Sequence, residues 1–249
     1  MAQMTLQAME AFRSKYRAAI SASYNGWVHM LSVAGIGLFV ILYSLGQINA
    51  ASFGEWLVFP ITMLVVNFAE YYAHRWLGHR KTKLGGLFYK RHTGDHHTFF
   101  LENAMDYQSV RDWRVVLFPA FLILAFIFGL ILPGGYVLQN LISDNAAYIY
   151  AAAGITGYLF YEVMHFSYHI PRGHWAEKIF LYIPGWVQLR HTHVLHHKRD
   201  KMAEANFNIT LPVFDLILGT LYWEPLKEFE KNNPQIQQVD QKQNEGAQA

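Results

Sequence analysis

Eleven of the 13 histidines fall in three short stretches of the chain. The first stretch covers residues 74–97 (HRWLGHRKTKLGGLFYKRHTGDHH), the second is HFSYH at 165–169, and the third is HTHVLHH at 191–197. Neutral imidazole is the commonest protein ligand for metal ions, and a metal site needs several ligands at short, fixed spacing. The three stretches therefore indicate a metal centre.

The spacing within the second and third stretches places their histidines on single helical faces. His165 and His169 are four residues apart, and His193, His196 and His197 lie at i, i+3 and i+4. Residues at these intervals are neighbours on the surface of an α-helix. Each set can therefore face one metal site.

The first stretch is less regular. His92 and His96 are again four apart, with His97 beside them, whereas His74 and His79 are five apart. Five residues correspond to about 140° of rotation around an α-helix, so His74 and His79 cannot share a regular helical face. This pair requires a helix end or a turn.

Together these sets give ten candidate ligands, which is too many for one metal ion. A catalytic zinc takes about three protein ligands and keeps one open position, so ten ligands suit two ions. Non-haem iron accepts imidazole ligands and offers the open positions that O₂ chemistry requires. The candidate ligands are His74, His79, His92, His96, His97, His165, His169, His193, His196 and His197.

Other residues near the stretches are assigned more limited roles. Glu70 and Glu162 precede His74 and His165 by four and three residues, at a depth where an unpaired ionisable group is costly. We expect each carboxylate to accept a ring N–H from a ligand histidine, the alternative being a hydrogen bond to a neighbouring helix. No catalytic residue beyond the metal ligands is predicted. We expect His29, His174 and His191 to lie outside the ligand set.

The elements that carry these residues are those of a membrane protein. Hydrophobic residues make up 53% of the 249-residue chain and charged residues only 15%, and the apolar residues come in blocks. Four blocks predict membrane spans at residues 27–46, 56–72, 115–132 and 146–164, the third closed by Pro133. Short connections between the first and second spans, and between the third and fourth, predict two hairpins.

The basic residues predict the orientation of the spans. All 20 Lys and Arg residues lie before the first span, between the second and third, or after the fourth. The loops at 47–54 and 133–145 contain none. By the positive-inside rule, both termini and every histidine stretch are expected to face the cytoplasm.

The predicted fold is therefore an all-α integral membrane protein with four transmembrane helices in two hairpins and a cytoplasmic helical cap. Residues 1–26 are expected to form an amphipathic segment resting on the membrane, 27–226 the membrane domain, and 227–249 a disordered polar tail. Residues 179–189 and 211–223 are apolar but short, and are expected to form interfacial helices.

Several functional classes are excluded or disfavoured. The chain has no cysteine and a net charge of only +2, which removes thiolate metal sites and nucleic-acid binding. A membrane zinc hydrolase and a non-enzymatic metal-binding or transport protein remain as alternatives. The hydrolase is disfavoured because the chain has no His-Glu-x-x-His sequence. The transport protein is disfavoured because its ligands would lie near the middle of the bilayer, whereas these histidines lie beyond the ends of the spans.

The stretches EYYAHRWLGH, KRHTGDHH, HFSYH and HTHVLHH, followed by NFNIT and FDLILGT, resemble the fatty acid hydroxylase/sterol desaturase superfamily. Members of this superfamily are integral-membrane, histidine-box oxidoreductases. The resemblance implies two iron ions held by the ten histidines, with zinc as a possible substituted metal and O₂ as co-substrate. It implies hydroxylation or desaturation of a fatty acyl, sphingolipid or sterol-like lipid in lipid biosynthesis. No haem, flavin or nicotinamide motif occurs, so we expect a separate electron donor, either a reductase with b-type cytochrome or a ferredoxin.

Overall fold

The computed structural model describes residues 4–83 and 85–232, whose regular secondary structure is helical and includes no β-strand. The α-helices are α1 (Leu6–Ala19), α2 (Gly26–Gln47), α3 (Phe53–Trp56), α4 (Val58–Tyr72), α5 (Gly86–Tyr89), α6 (His97–Phe99), α7 (Trp113–Val116), α8 (Leu122–Phe126), α9 (Leu132–Leu141), α10 (Asp144–Tyr168), α11 (Trp175–Phe180), α12 (Trp186–His196), α13 (Val213–Ile217) and α14 (Leu226–Asn232). There are also three π-helices: Ala73–Gly78 follows α4, Lys90–His96 follows α5, and Ile127–Ile131 lies between α8 and α9. A 3₁₀-helix covers Val110–Asp112.

Three continuous helical segments in the described part of the chain are long and apolar enough to cross a membrane. They are Gly26–Gln47, Phe53–Gly78 and Leu122–Leu141. The first two contain the predicted spans at 27–46 and 56–72. The all-helical membrane character predicted from composition is therefore confirmed.

The third segment differs from the prediction of a span at 115–132. The backbone is extended at Leu117, and the helix resumes only at Leu122 and continues through Pro133 to Leu141. Pro133 lies at the start of α9, directly after a π-helix whose wider turn replaces the regular α-helical hydrogen bonds. Gly134 does not form a turn: a Cβ there would lie 2.6 Å from the hydroxyl of Tyr150, so the glycine permits close packing of α9 on α10.

Helix α10 is the centre of the bundle, and α2, α4 and α9 all pack against it. Glycines allow the close approach: a Cβ on Gly157 would lie 2.7 Å from Val66 of α4. The predicted fourth span at 146–164 falls within α10, which is largely buried and is not one of the three candidate spans. Its last turn carries His165 and brings the second histidine stretch to one end of the bundle.

The N-terminal helix α1 packs against α6 and is bonded to the chain that follows it. Arg13 is buried and donates to the carbonyl oxygens of Phe99 and Ala104, both at 2.8 Å. Arg17 forms an ion pair with Asp112 at 2.7 Å. Helix α1, which lies within the predicted segment 1–26, is therefore bound to the chain that follows the first histidine stretch.

The two predicted interfacial helices are shorter than expected. Residues 179–189 do not form one helix, because Gly185 adopts a left-handed conformation (φ 81°) between α11 and α12. Within 211–223 only α13 is helical. Both segments expose large apolar side chains, including Tyr182 and Leu216.

The segment predicted as a disordered tail begins at residue 227, and helix α14 covers its first part. Helix α14 extends to Asn232, and its Phe229 is buried against Leu195 of α12. An aromatic residue among charged neighbours is sufficient to attach the helix to the cap. Residues 233–249 lie outside the described part of the chain.

Candidate metal centre

Two π-helices place the histidines of the first stretch. In a π-helix the hydrogen bonds run between residues five apart, which therefore share a face. His74 lies in the π-helix Ala73–Gly78 and His79 directly follows it, and their ring centroids are 5.2 Å apart. His92 and His97 have the same spacing around the second π-helix, with centroids 4.6 Å apart. The turn required by the spacing of His74 and His79 is thus present, whereas the pairing of His92 with His97 was missed.

The structure brings all ten predicted histidines to one place at the end of α10. Nine of them form two groups in which the ring nitrogens lie within 4.8 Å of one another. The first group is His74, His79, His92, His97 and His196, and the second is His96, His165, His169 and His193. Stretches distant in the chain therefore contribute to each group.

His197 lies at the junction of the two groups. Its Nε2 atom is 3.2 Å from Nε2 of His96 in the second group, and its ring stacks on His97 of the first group at a centroid distance of 4.2 Å. The two groups are therefore adjacent, and they share one continuous cluster of imidazoles.

Main-chain carbonyls hold the outer nitrogens of five of these rings. In each case Nδ1 donates to a carbonyl oxygen: His74 to Phe207 at 2.5 Å, His96 to Val115 at 3.1 Å, His169 to Met105 at 2.7 Å, His196 to Ala205 at 2.8 Å, and His197 to Phe100 at 2.9 Å. This bond fixes the tautomer, because a ring that donates from Nδ1 presents a lone pair at Nε2. The lone pairs of these five rings are available to a metal ion.

The inner nitrogens are arranged for a cation. Nε2 atoms of neighbouring rings lie 3.0–3.2 Å apart at seven contacts. At the contact between His96 and His197 both nitrogens carry lone pairs, which cannot hydrogen-bond to each other. An imidazole nitrogen lies about 2.1 Å from a bound divalent metal, so two nitrogens at right angles around one ion are about 3.0 Å apart. Nε2 of His74 is buried without a hydrogen-bond partner, and the residues fit a metal centre.

Burial keeps these rings neutral. The pKa values of His96, His97 and His197 are held well below their usual range, chiefly because burial disfavours the charged form and then because charged neighbouring imidazoles would repel it. A metal ligand must be the neutral imidazole. The protein therefore presents the ligands without having to lose protons at neutral pH.

The predicted contacts of the two carboxylates with ligand histidines are not found. Glu70 accepts hydrogen bonds from the backbone N–H groups of Ile209 and Thr210 and from the hydroxyl of Thr210. Glu162 accepts from the backbone N–H of Phe118 at 3.1 Å. Carbonyl oxygens already occupy the outer nitrogens, so the carboxylates bind the segments that supply or adjoin those carbonyls. The sequence could not reveal these acceptors, because every residue carries a carbonyl.

The other three histidines lie outside the two groups. His29 is hydrogen-bonded to the hydroxyl of Tyr24 and the carbonyl of Phe118. His174 caps α11 by accepting from the N–H of Ala176. His191 is buried in the cap, where its Nε2 donates to the carbonyl of Glu224 at 2.6 Å.

Two mainly apolar cavities are lined in part by members of the histidine groups. One, of about 370 Å³, lies between α4, α8 and α10 and extends from Leu130 to His74. The other, of about 250 Å³, is lined by His92, His96 and His165. Both are bounded by Phe88, Phe118, Leu122 and Tyr161, so they adjoin each other next to the candidate metal centre.

The fold and the site define a class: a helical membrane protein whose buried histidine cluster fits metal binding. Residues 59–220 match the fatty acid hydroxylase family, and the chain belongs to this family. The match confirms the resemblance of the histidine stretches. Family membership indicates an oxidoreductase.

Comparison with solved structures finds the same fold in a chain described as full-length Scs7p, of which only the hydroxylase domain is visible. The identity is 21% and the TM-score 0.53, over 80% of this chain and 67% of that chain. A comparison with curated proteins finds no match.

Proposed function

We propose that this protein is a di-iron, O₂-dependent oxidoreductase that hydroxylates or desaturates a C–H bond of a membrane lipid. The observation that carries the proposal is the pair of adjacent, buried, all-imidazole groups facing apolar cavities. Family membership supports the reaction class, and the cavities support a lipid alkyl chain as the substrate.

The ten histidines are proposed as the ligands of two ions. The first group would hold one ion, and the second group with His197 would hold the other. Bound iron would supply the activation of O₂ and the removal of hydrogen from an unactivated C–H bond. Imidazole suits iron, and an ion that must also bind O₂ or solvent needs an open coordination position.

The chain itself contributes binding, orientation and exclusion of water. The cavity between α4, α8 and α10 has side chains such as Val66, Ala125 and Phe126 that match an alkyl chain in polarity. The stacked rings of Phe118 and Tyr161, with centroids 4.8 Å apart, border both cavities. A substrate carbon beside this pair would be close to both histidine groups and shielded from bulk water.

The membrane arrangement is part of the proposal. Helix α10 would be the fourth span, paired with the third, and the histidine-bearing end of the bundle with α1, α12 and α14 would form the cytoplasmic cap. The confinement of all 20 Lys and Arg residues to one predicted side supports this orientation. Electrons would come from a separate donor, because O₂ activation consumes reducing equivalents and the 249-residue sequence contains no haem, flavin or nicotinamide motif.

Metal analysis of the purified protein combined with lipid mass spectrometry tests the proposal. The wild-type protein should contain two iron ions per chain and add one oxygen atom to a lipid, or remove two hydrogens from it. His196→Ala should lower bound iron and abolish the product, whereas His174→Ala should change neither, because His174 lies outside both groups. A protein that contains no iron, or equal activity of the two variants, would refute the assignment.

A further inference from the structure

Residues 205–210 contact the first histidine group through two main-chain carbonyls. Ala205 accepts from Nδ1 of His196 at 2.8 Å, and Phe207 accepts from Nδ1 of His74 at 2.5 Å. These two histidines come from different helical elements, the end of α12 and the π-helix after α4. One short segment therefore orients two ligands that are distant in the chain.

We infer that residues 205–210 form a positioning segment for the first metal ion, and that Asp215 and Glu70 are positioning residues that hold this segment in place. The inference rests on the proposed function, since it assigns these residues to a metal centre. Neither carboxylate touches a histidine, so both act through the carbonyls of the segment.

The segment has a fixed conformation at its centre. Asn206 adopts a left-handed backbone conformation (φ 57°), which asparagine tolerates better than most residues. Its side chain donates to the carbonyls of Thr192 and Tyr222, each at 3.0 Å, and accepts from the N–H of Tyr222 at 2.8 Å. The conformation of Asn206 is therefore fixed by these bonds, and the carbonyls on either side of it reach different histidines.

Asp215 holds the segment from the α13 side. This carboxylate is fully buried, and it accepts from the N–H of Phe207 at 3.0 Å and the N–H of Asn208 at 2.6 Å. The hydroxyl of Thr220 donates to it at 2.7 Å. Three donors around a buried carboxylate define its position, and with it the position of the peptide that carries the Phe207 carbonyl.

Glu70 holds the other end of the segment and belongs to the same helical span as His74. It accepts from the N–H groups of Ile209 and Thr210 and, at 2.7 Å, from the Thr210 hydroxyl. Asn208 adds a second link to α4 by donating to the carbonyl of Asn67 at 2.9 Å. Residues 208–210 are thus bonded to the helical span that carries His74, one of the two histidines that the segment orients.

A change in residues 205–210 should affect metal binding by the first group only. The second group takes its acceptors from other parts of the chain, Val115 for His96 and Met105 for His169. A change in residues 205–210 therefore disturbs ligands of one ion and leaves the outer bonds of the other intact. This selectivity distinguishes a positioning role from general destabilisation.

Asp215→Asn and Asp112→Asn form a matched pair. Both aspartates are fully buried and each accepts two backbone N–H bonds, but those on Asp112 come from Gln108 and Ser109, outside residues 205–210. Asp112 also pairs with Arg17, whereas Asp215 accepts the Thr220 hydroxyl. In each variant an amide N–H₂ would face a donor, so both should lower the melting temperature. After anaerobic reconstitution with Fe²⁺, Asp215→Asn should retain one ion per chain, whereas Asp112→Asn should retain two.

Double variants identify the ion that is lost. Asp215→Asn combined with His196→Ala should still hold one ion, because both changes affect the first group. Asp215→Asn combined with His193→Ala, a member of the second group, should hold none. Equal losses in the two double variants would overturn the inference.

Glu70 supplies an independent test by conservative rescue. Glu70→Gln keeps an acceptor for the two N–H groups, and its amide can donate to the Thr210 hydroxyl, so it should retain both ions. Glu70→Ala should retain one. Full iron occupancy in both Glu70→Ala and Asp215→Asn would refute the positioning role, whereas a wild-type protein without iron would refute the proposed function itself.

Discussion

Replacement of Gly78 by alanine should disable the first histidine group. Gly78 ends the first π-helix, and a Cβ there would lie 2.9 Å from Cδ2 of His92, 3.2 Å from Phe88 and 3.4 Å from Cδ2 of His74. Carbon atoms in contact prefer about 3.5–4.0 Å, so the His92 ring would have to move by roughly 0.6 Å or more. Metal–ligand distances tolerate about 0.2 Å. The expected shift exceeds this tolerance about threefold.

The assay compares Gly78→Ala with Gly86→Ala in iron content and product formation. Gly86 begins α5 in the same part of the chain, and a Cβ there meets nothing within 4 Å. A displacement approaching 1 Å in a catalytic constellation costs on the order of 100-fold in rate. Gly78→Ala should therefore lose activity on this scale together with iron from the first group, whereas Gly86→Ala should resemble the wild type.

One result would refute this reasoning. If Gly78→Ala binds two iron ions and turns over like Gly86→Ala, the His92 ring either yields without consequence or is not a ligand. A loss of folded protein in the membrane fraction would be a different failure, and the melting temperature of the metal-free variant identifies it.

Three further predictions concern the membrane arrangement, the electron supply and the packing of the bundle. A reporter fused after residue 249 should be cytoplasmic, because all Lys and Arg residues lie on one predicted side, and a reporter on the opposite face would invalidate the proposed orientation. The purified protein should be inactive with NADPH alone and active when a reductase with a b-type cytochrome or a ferredoxin is added; sustained turnover with NADPH alone would contradict the need for a donor. Gly134→Ala should lower stability by about 1–3 kcal/mol in thermal unfolding, because its Cβ would lie 2.6 Å from the Tyr150 hydroxyl. Gly129→Ala, with nothing within 4 Å, is the matched control and should not destabilise.

The sequence was informative about the site wherever residue type and spacing carry the information. Apolar length predicted the first two spans, and the ten histidines converge as their spacing indicated. The third span was misplaced because Pro133 was interpreted as a helix end, whereas a preceding π-helix accommodates it in the first turn of α9. The pattern of proline and glycine alone does not distinguish a helix end from a helix that continues. In the structure the helix continues, and Gly134 packs against Tyr150.

The outer contacts of the histidines could not be predicted for a different reason. Their acceptors are carbonyls of Ala205, Phe207 and other residues whose side chains have no special chemistry. Only the tertiary structure shows which carbonyl meets which ring. The acidic residues near the histidines were the visible candidates, and the structure gives them backbone N–H partners instead.

The π-helix between His74 and His79 also has a consequence for insertions and deletions in this chain. Earlier in the same span, Ile61, Val65 and Phe68 are exposed and would face lipid, whereas its last turn faces the histidine cluster. A π-turn holds one residue more than an α-turn, and one residue is about 100° of helical rotation. Loss of a single residue from 75–77 would leave His74 unmoved relative to the lipid-facing side, because His74 precedes the deletion. In a helix that keeps its π-turn, the deletion would rotate His79 and the chain after it by about that angle. At this point in the chain, the length of the sequence is as constrained as its composition.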